Sequence, residues 1–281
     1  MPPDTLLSLE LTERQFTEIS EFVKSVCGID LGDGKKQLVK ARLTKRLRKL
    51  NLGSFAKYID YVKNDDDRTE LTHMIDAIST NMTSFFREND HFAHLARVIL
   101  PMVLQNADRT GRRLRVWSAG CSSGEEAYSI AITVNENIPD LRSWDAKILA
   151  TDISTRILDR AADGVYDTEQ IKTVSPGART KYFKCIETKP ERMYRVTAAL
   201  RGMIHFARLN LMNRWPMQGS FDAIFCRNVM IYFDKVTQDR LINRFYDLLT
   251  PGGTLFIGHS ESLAGVEHRF SYVQPTVYQK L

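Results

Sequence analysis

Two glycines followed by two glutamates indicate a ligand-binding loop in the middle of the chain. In the segment SAGCSSGEE, Gly120 and Gly124 would allow a tight turn and a close approach of the backbone to a ligand, before a helix that begins at Glu125. The spacing is GxxxG and not GxGxxG, and Glu125 and Glu126 would repel a diphosphate. Two carboxylates here suit a cationic amino group or a sulfonium. The alternative is that both acids only complement the positive end of the helix dipole.

Polar residues also follow three later apolar segments. Asp152 closes the segment AKILATD, where an acidic residue can accept hydrogen bonds from both hydroxyls of a ribose. An alternative role for Asp152 is to cap a helix that starts near Ser154. Asn210 offers an amide between two leucines, which suits the edge and the faces of an adenine. In the segment CRNVMIYF, polar side chains precede Tyr232, which is well placed for chemistry.

These residues stand at the ends of short apolar segments that we predict to be strands. The five segments are LRVWSAG (114–120), AKILATD (146–152), MIHFARLN (203–210), FDAIFCRN (221–228) and TLFIGHS (254–260). They are too apolar for strands with a solvent-facing side, and helical patterns follow the first, second and fourth. The pattern predicts a doubly wound α/β domain with a mostly parallel sheet, in which ligands bind outside the carboxyl ends of the strands.

Two further segments depart from this alternation. The C-terminal FSYVQPTVYQKL is typical of a pair of antiparallel strands. Residues 163–199 are polar, basic and aromatic, and we predict an inserted subdomain there. With a helical composition before about residue 90, the chain divides into a helical domain (1–90), a linker (91–111) and an α/β domain (112–281).

The helical part contains a strongly basic segment, KKQLVKARLTKRLRKL, from Lys35 to Leu50. It has eight basic residues and no acidic one. Apolar residues at helical spacing can anchor one face, namely Val39, Leu43, Leu47 and Leu50, and an adjacent exposed face would then hold Lys35, Arg42, Lys45 and Lys49. A solvated surface is the alternative. The absence of acidic residues in the segment favours a docking surface for an acidic partner.

Composition excludes several classes of protein. No stretch approaches the roughly 20 apolar residues of a membrane-spanning helix, and the N-terminus lacks the pattern of a signal peptide, so we expect a cytoplasmic protein without direct membrane insertion. The four cysteines form no CxxC pair, and the six histidines have no metal-ligand spacing, so we expect neither disulfides nor a metal. The net charge of +5 suits an acidic partner.

Four ordered motifs make a specific resemblance. TNMTSFFRE (80–88), VWSAGCSSGEEAYSIA (116–131), FDAIFCRNVMIYFDK (221–235) and GHSES (258–262) resemble successive motifs of the CheR family. The resemblance spans nearly the whole chain, including the basic second helix and the inserted β subdomain. It implies a class I methyltransferase that uses S-adenosylmethionine, releases S-adenosylhomocysteine and forms γ-methyl esters on glutamates of chemoreceptors.

The resemblance also implies roles for individual residues. Cofactor contacts would come from Asn81, Thr83, Arg87, Gly120, Glu125 or Glu126, Asp152, Asn210, Leu211, Arg227 and Asn228. Glu126 is the favoured partner of the methionyl amine, and Arg87 and Tyr232 would face the reacting groups. Contacts with acidic methylation helices of the receptor would come from Arg42, Lys45 and Arg48, next to Lys35. The segment YFKCIETKPERMYRV resembles the part of the family that binds a tether at the receptor's C-terminus, and dependence on such a tether stays open.

Methylation of a glutamate makes modest chemical demands on the enzyme. A carboxyl group with an ordinary pKa of ~4.3 is already ionised at neutral pH, so no general base is needed. The enzyme must desolvate the carboxylate and align it with the methyl carbon, and positioning of this kind is worth roughly 7–11 kcal/mol. Arg87 would position the carboxylate. The alternative is a surface arginine that caps a helix or pairs with the neighbouring Glu88.

Two other functions are weighed against this one. A nucleic-acid methyltransferase would suit the basic helix and the pI near 9.0, but no NPPY-type motif or nucleophilic cysteine arrangement accompanies them. A non-catalytic adaptor that binds the cofactor is the third possibility, and the presence of Arg87, Asp152 and Tyr232 argues against it.

Overall fold

The structure, a computed structural model, describes residues 9–281. Its first helices are α1 (Glu13–Cys27), α2 (Lys36–Lys49), α3 (Phe55–Lys63) and α4 (Thr69–Ile78). Thr12 caps α1 in a capping box with Gln15, and the helix ends at Gly28, whose φ of 76° only glycine adopts easily. The predicted anchors Val39, Leu43 and Leu47 of α2 are fully buried against these helices.

A connecting run of helix follows. It consists of α5 (Asp90–His94), a π-helical turn (Leu95–Ile99), α6 (Leu100–Gln105) and α7 (Ala107–Thr110). The sequence suggested a linker over 91–111, and these residues are largely helical, with Phe92, Leu95 and Leu100 buried in the core of the main sheet. The proposed domain limits themselves stay a prediction.

The rest of the chain alternates strands and helices. The strands are β1 (Arg113–Ala119), β2 (Asp145–Asp152), β3 (Val165–Asp167), β4 (Phe183–Glu187), β5 (Met193–Val196), β6 (Ile204–Arg208), β7 (Phe221–Cys226), β8 (Leu249–Ile257), β9 (Ser271–Gln274) and β10 (Val277–Gln279). The helices are α8 (Glu125–Asn137), α9 (Thr155–Asp163), α10 (Pro176–Tyr182), α11 (Ala198–Arg201) and α12 (Lys235–Leu248).

The main sheet has seven strands in the order β6-β2-β1-β7-β8-β10-β9. In this order, each strand from β6 through β2, β1 and β7 to β8 runs parallel to its neighbours, whereas β10 pairs antiparallel with both β8 and β9. Side chains of β1 alternate between the two sides of the sheet, so Val116 and Trp117 lie in different cores, both without exposure. Because the strand order reverses between β1 and β7, a crevice opens at their carboxyl ends.

The inserted segment forms a second sheet of three antiparallel strands in the order β3-β5-β4. The predicted fold class is therefore confirmed: a doubly wound, mostly parallel sheet, a helical N-terminal part and a small antiparallel insertion. Within the part of the chain that the structure describes, no helix is both long and apolar enough to cross a membrane.

Candidate active site

A pocket lies at the carboxyl ends of β1, β2 and β7, where the helical part of the chain meets the sheet. Most residues predicted to bind the cofactor or to act in catalysis line it: Asn81, Thr83, Arg87, Gly120, Glu126, Asp152, Asn210, Leu211, Arg227, Asn228 and Tyr232. The helical part contributes Cys27, Ile29, Leu31, Lys35 and Leu38. Both halves of the molecule therefore form its wall.

The glycine loop after β1 forms the floor of the pocket. Gly120 has a φ of 87°, and a Cβ there would lie 2.4 Å from Cγ2 of Val229. The backbone N–H groups of Gly120 and Cys121 both donate to the carbonyl of Thr151, at 2.7 and 2.9 Å. Only glycine fits this close approach between the loop and the residues after β7.

Glu126 and Glu125 occupy different surroundings. Glu126 lines the pocket, and its carboxylate accepts hydrogen bonds from Ser118 Oγ at 2.6 Å and from Arg227 Nη1 at 3.1 Å. Burial raises the pKa of Glu126, although Arg227 and Ser118 oppose the shift. Glu125 does not line the pocket, and its carboxylate accepts from Ser123 Oγ at 2.6 Å. Of the two acids, Glu126 alone is placed to meet a ligand in this pocket.

Asp152 accepts hydrogen bonds from the protein backbone and also lines the pocket. Its Oδ2 accepts from the backbone N–H of Ser122 at 2.9 Å, and its Oδ1 accepts from that of Ser154 at 3.0 Å. Burial raises its pKa, against the effect of these backbone donors. The helix cap of α9 is Ser154 itself. Since a carboxylate has about four acceptor sites, Asp152 retains capacity for ribose hydroxyls.

Asn210 ties the pocket to the helical part of the chain. Its Nδ2 donates to the carbonyl of Val26 at 2.7 Å, and its Oδ1 accepts from the N–H of Met212 at 2.9 Å. The sequence suggested this amide for the edge of an adenine, and the structure shows that it already has two protein partners. Leu211, which is 8% exposed, supplies apolar surface beside it.

A buried chain of charges crosses the site. Arg227 donates from Nη1 to Glu126, from Nη2 to Glu88 Oε2 at 2.9 Å, and from Nη2 to the carbonyl of Arg87. Burial opposes ionisation of Glu88, but Arg227, through its hydrogen bond and its charge, acts together with His259 to lower the pKa of Glu88 on balance. Arg227 is thereby fixed between two carboxylates. Sequence reasoning treated Glu88 only as a possible neighbour of Arg87 and missed this role.

Glu261 is a second acid whose role the sequence did not reveal. Its buried carboxylate accepts from the backbone N–H groups of Asn228, Gly258 and Ile231, at 2.9, 2.6 and 3.2 Å. These bonds hold the turn after β7, where Asn228 has a positive φ of 57°. The acid lies inside the GHSES segment, which was the available signal.

The mouth of the pocket holds the groups expected to meet the reacting carboxylate. The side chain of Arg87 is 40% exposed, and its Nη1 donates to the carbonyl of Met82 at 3.1 Å. Lys35 Nζ lies 5.2 Å from the centre of the Tyr232 ring. Met82, 83% exposed, also lines the mouth. Arg87 and Tyr232 thus line the same pocket.

The basic helix α2 differs in part from the expected exposed face. Lys45 and Lys49 are exposed as predicted, and so is Arg48, but Lys35 is half-buried at the pocket. Arg42 is half-buried too and donates to the carbonyls of Ile78 and Ser79 at 2.5 and 3.1 Å. Arg42 was predicted to be exposed, and that was wrong because the last carbonyls of α4 lack partners within the helix and attract a cation.

Other cations of α2 have acidic partners from neighbouring helices. Arg46 pairs with Glu70 at 2.5 Å, Lys36 with Glu13 at 2.5 Å and Lys40 with Glu10 at 3.2 Å. The absence of acids within the segment itself therefore overstated how much free positive charge α2 carries.

Two family models match the chain. Residues 81–279 match "CheR methyltransferase, SAM binding domain", and residues 14–79 match "CheR methyltransferase, all-alpha domain". The chain belongs to the CheR methyltransferase family. It is therefore an S-adenosylmethionine-dependent methyltransferase, as the resemblance of its four motifs predicted.

Curated relatives of CheR type agree over nearly their full lengths. A probable chemotaxis protein methyltransferase of Rhizobium etli is 44% identical over 258 residues, which are 92% of this chain and 96% of that protein. Chemotaxis protein methyltransferase 2 of Pseudomonas aeruginosa is 41% identical, covering 95% and 93%. The chemotaxis protein methyltransferase of Escherichia coli is 39% identical, covering 98% and 95%.

The donor set of the pocket fits S-adenosylmethionine. The carboxylate of Glu126, whose side chain is 12% exposed, faces it where an ammonium group would be held, and buried Asp152 closes β2 where ribose hydroxyls bind in such folds. Apolar Leu211 and Val229 line the same pocket. When bound, the cofactor supplies an activated methyl group, and the residues of this chain have to bind and orient the reacting groups.

Proposed function

We propose that this methyltransferase esterifies glutamate side chains of chemotaxis receptors, yielding γ-methyl esters and S-adenosylhomocysteine. The observation that carries the proposal is the position of Arg87, a half-exposed guanidinium at the mouth of a pocket whose deeper wall is acidic. A glutamate carboxylate is attracted to the mouth, and a cationic cofactor is attracted to the interior.

The role of Arg87 is to position the carboxylate. A glutamate is already a nucleophile at neutral pH, so the chain needs to hold it in line with the methyl carbon and to exclude water. The bond of Arg87 Nη1 to the carbonyl of Met82 orients the guanidinium and leaves other donors for the substrate. Tyr232 lines the same pocket, and we assign it to the same approach. We assign Asn81, Thr83, Glu126, Asp152, Leu211, Arg227 and Asn228 to the cofactor.

Helix α2 leads away from the pocket mouth and suits an elongated acidic partner. Lys35 and Leu38, at its start, line the pocket. Lys45 lies seven residues after Leu38, which places it on nearly the same face, about 10 Å further along the axis. With Arg48, which is also exposed, it offers positive charge to an acidic methylation helix whose glutamate reaches the pocket.

The small antiparallel sheet supports a further contact, with a tether at the receptor's C-terminus. In the part of the chain that the structure describes, β4 pairs with β5 alone and so forms an edge of this sheet. Four of the five residues of β4 are exposed. An extended peptide can add to such an edge as another strand. These contacts would hold a cytoplasmic enzyme at membrane receptors without membrane insertion.

The test is transfer of radiolabelled methyl groups into a purified receptor, because carboxyl methyl esters release their label in alkali. Lys45→Glu with Arg48→Glu should reduce the initial rate at least about tenfold, with unchanged affinity for S-adenosylhomocysteine, and the effect should shrink as salt is added. Arg14→Glu with Lys57→Glu reverses two exposed cations on α1 and α3 and is the matched control.

The outcomes separate the parts of the proposal. Base-stable label, or label in nucleic acid only, would show that the acceptor is not a carboxylate. An equal loss of rate in the double variant and its control would show that α2 contributes only to the overall positive charge of the protein and is not a docking surface.

A further inference from the structure

A second group of ligand-type side chains lies beside the pocket and outside its lining. Glu88, His91 and His259 each offer one ligand atom, and these atoms all lie within 4.8 Å of one another. Glu88 and His91 flank the start of α5, whereas His259 follows β8. The folded chain brings together residues whose sequence spacing gave no sign of a metal site.

The hydrogen bonds of His91 decide which ring nitrogen carries the proton. Its imidazole is fully buried, and Nε2 lies 2.7 Å from Thr276 Oγ1. The hydroxyl of Thr276 itself donates to the carbonyl of Pro275 at 2.6 Å. Because that hydroxyl has a single proton, its oxygen accepts from His91, and we assign the imidazole proton to Nε2. His91 Nδ1 then carries a lone pair and no proton.

This lone pair faces another acceptor. His91 Nδ1 has no hydrogen-bond partner among residues 9–281 and lies 3.8 Å from Glu88 Oε2. A buried acceptor without a donor is costly, and a carboxylate opposite adds repulsion. A cation between the two atoms would satisfy both. A histidine that binds a metal through one ring nitrogen usually donates the N–H of the other to a neighbouring acceptor, which fixes the orientation of the ring. The bond from His91 Nε2 to Thr276 is of this kind.

His259 completes the set and gives access from solvent. Its side chain is 49% exposed, and its ring centre lies 5.1 Å from that of His91. Two imidazoles and one carboxylate suit Zn²⁺ and related divalent ions. Bond lengths of about 2.1 Å place tetrahedral ligand atoms about 3.5 Å apart. The set therefore closes when the exposed His259 ring turns inward and exchanges its contact with Asp90 Oδ2, now 3.2 Å from Nε2, for the metal ion.

We propose that Glu88, His91 and His259 bind a divalent transition-metal ion, with Zn²⁺ as the representative, and that this ion competes with Arg227 for Glu88. The competition follows because Glu88 Oε2, the oxygen that faces His91 Nδ1, also accepts from Arg227 Nη2 at 2.9 Å. Arg227 lines the cofactor pocket. A metal ion on Glu88 therefore loosens one end of the fixed guanidinium, and binding of cofactor and metal oppose each other by linkage.

The site itself is tested by calorimetric titration of the full-length protein with Zn²⁺ alone. The wild type should bind one ion per chain at this site, and His259→Ala should bind it at least about tenfold more weakly. His205→Ala removes another exposed histidine, on β6, and should bind like the wild type. The proposed site is refuted if none of the three proteins binds Zn²⁺ saturably, or if all three bind it with equal affinity.

The competition is tested with S-adenosylhomocysteine, with and without saturating Zn²⁺. Zn²⁺ should weaken its binding to the wild type and to His205→Ala, and His259→Ala should need at least about tenfold more Zn²⁺ for the same effect. An unchanged affinity in the zinc-loaded wild type overturns the competition. Neither measurement requires a receptor substrate, so its result is independent of which carboxylate the enzyme methylates.

Discussion

The substitution Asp152→Ala tests the ribose assignment. In the structure it removes the acceptor of two backbone N–H groups, those of Ser122 and Ser154, and the carboxylate that faces the pocket. It therefore acts on two quantities, the affinity for S-adenosylhomocysteine and the free energy of unfolding, and the two have different causes.

The expected magnitudes follow from these contacts. Two hydrogen bonds from ribose hydroxyls to a charged acceptor contribute about 1.5–3 kcal/mol each, so the loss of about 3 kcal/mol or more weakens binding about 100-fold. Two buried N–H groups left unpaired would cost about 1–3 kcal/mol each. Burial raises the pKa of Asp152, so the substitution also relieves a desolvation cost. We therefore expect a net loss of stability of only about 1–2 kcal/mol, less than the sum of the two N–H contributions.

Calorimetric titration with S-adenosylhomocysteine measures the affinity, and denaturant unfolding of the free protein measures the stability. Asp145→Ala is the matched control, because Asp145 is the first residue of β2, at the end of the strand away from Asp152, and is half-exposed. It should leave the affinity unchanged. If folded Asp152→Ala binds within about threefold of the wild type, under about 0.7 kcal/mol, Asp152 only holds the glycine loop and the turn before α9, and the ribose assignment is wrong.

Two further substitutions test the neighbouring groups. Glu126→Gln should weaken binding of S-adenosylhomocysteine at least about tenfold, because an amide no longer attracts an ammonium group. Glu125→Gln, the same change at the neighbouring and more deeply buried acid, should alter the affinity less than about threefold. The reverse order in the same titration would mean that Glu125 is the ligand. Arg87→Ala should lower the turnover number for receptor methylation more than it lowers cofactor affinity, because we assign its half-exposed guanidinium to the substrate. Arg87→Lys should restore part of the turnover. A parallel fall in turnover and affinity would place Arg87 on the cofactor alone.

The fold was largely predictable because its signals are local. Apolar runs bounded by polar turns predicted the five strands of the parallel sheet, β1, β2, β6, β7 and β8. Polar residues that follow such strands had to gather at one edge. Gly120, Glu126, Asp152 and Arg227 therefore share a pocket.

The rest depended on contacts between residues distant in sequence. Nothing in the basic segment shows that Arg42 binds the last carbonyls of α4, or that Arg46 pairs with Glu70. The pairing of Glu88 with Arg227 likewise joins residues 139 positions apart. Partners of this kind are set by tertiary packing, which periodicity and spacing do not encode.

The wall shared by the two halves has a consequence for how the protein unfolds. Asn210 bonds to the carbonyl of Val26, and the N–H of Asp30 donates to the carbonyl of Tyr232 at 2.7 Å, both at the rim of the pocket. A cofactor seated there binds only when the helical core and the sheet are assembled, so its binding free energy is added to their cohesion. Without it the two cores are free to melt as separate cooperative units, and with it they should melt together in a single transition.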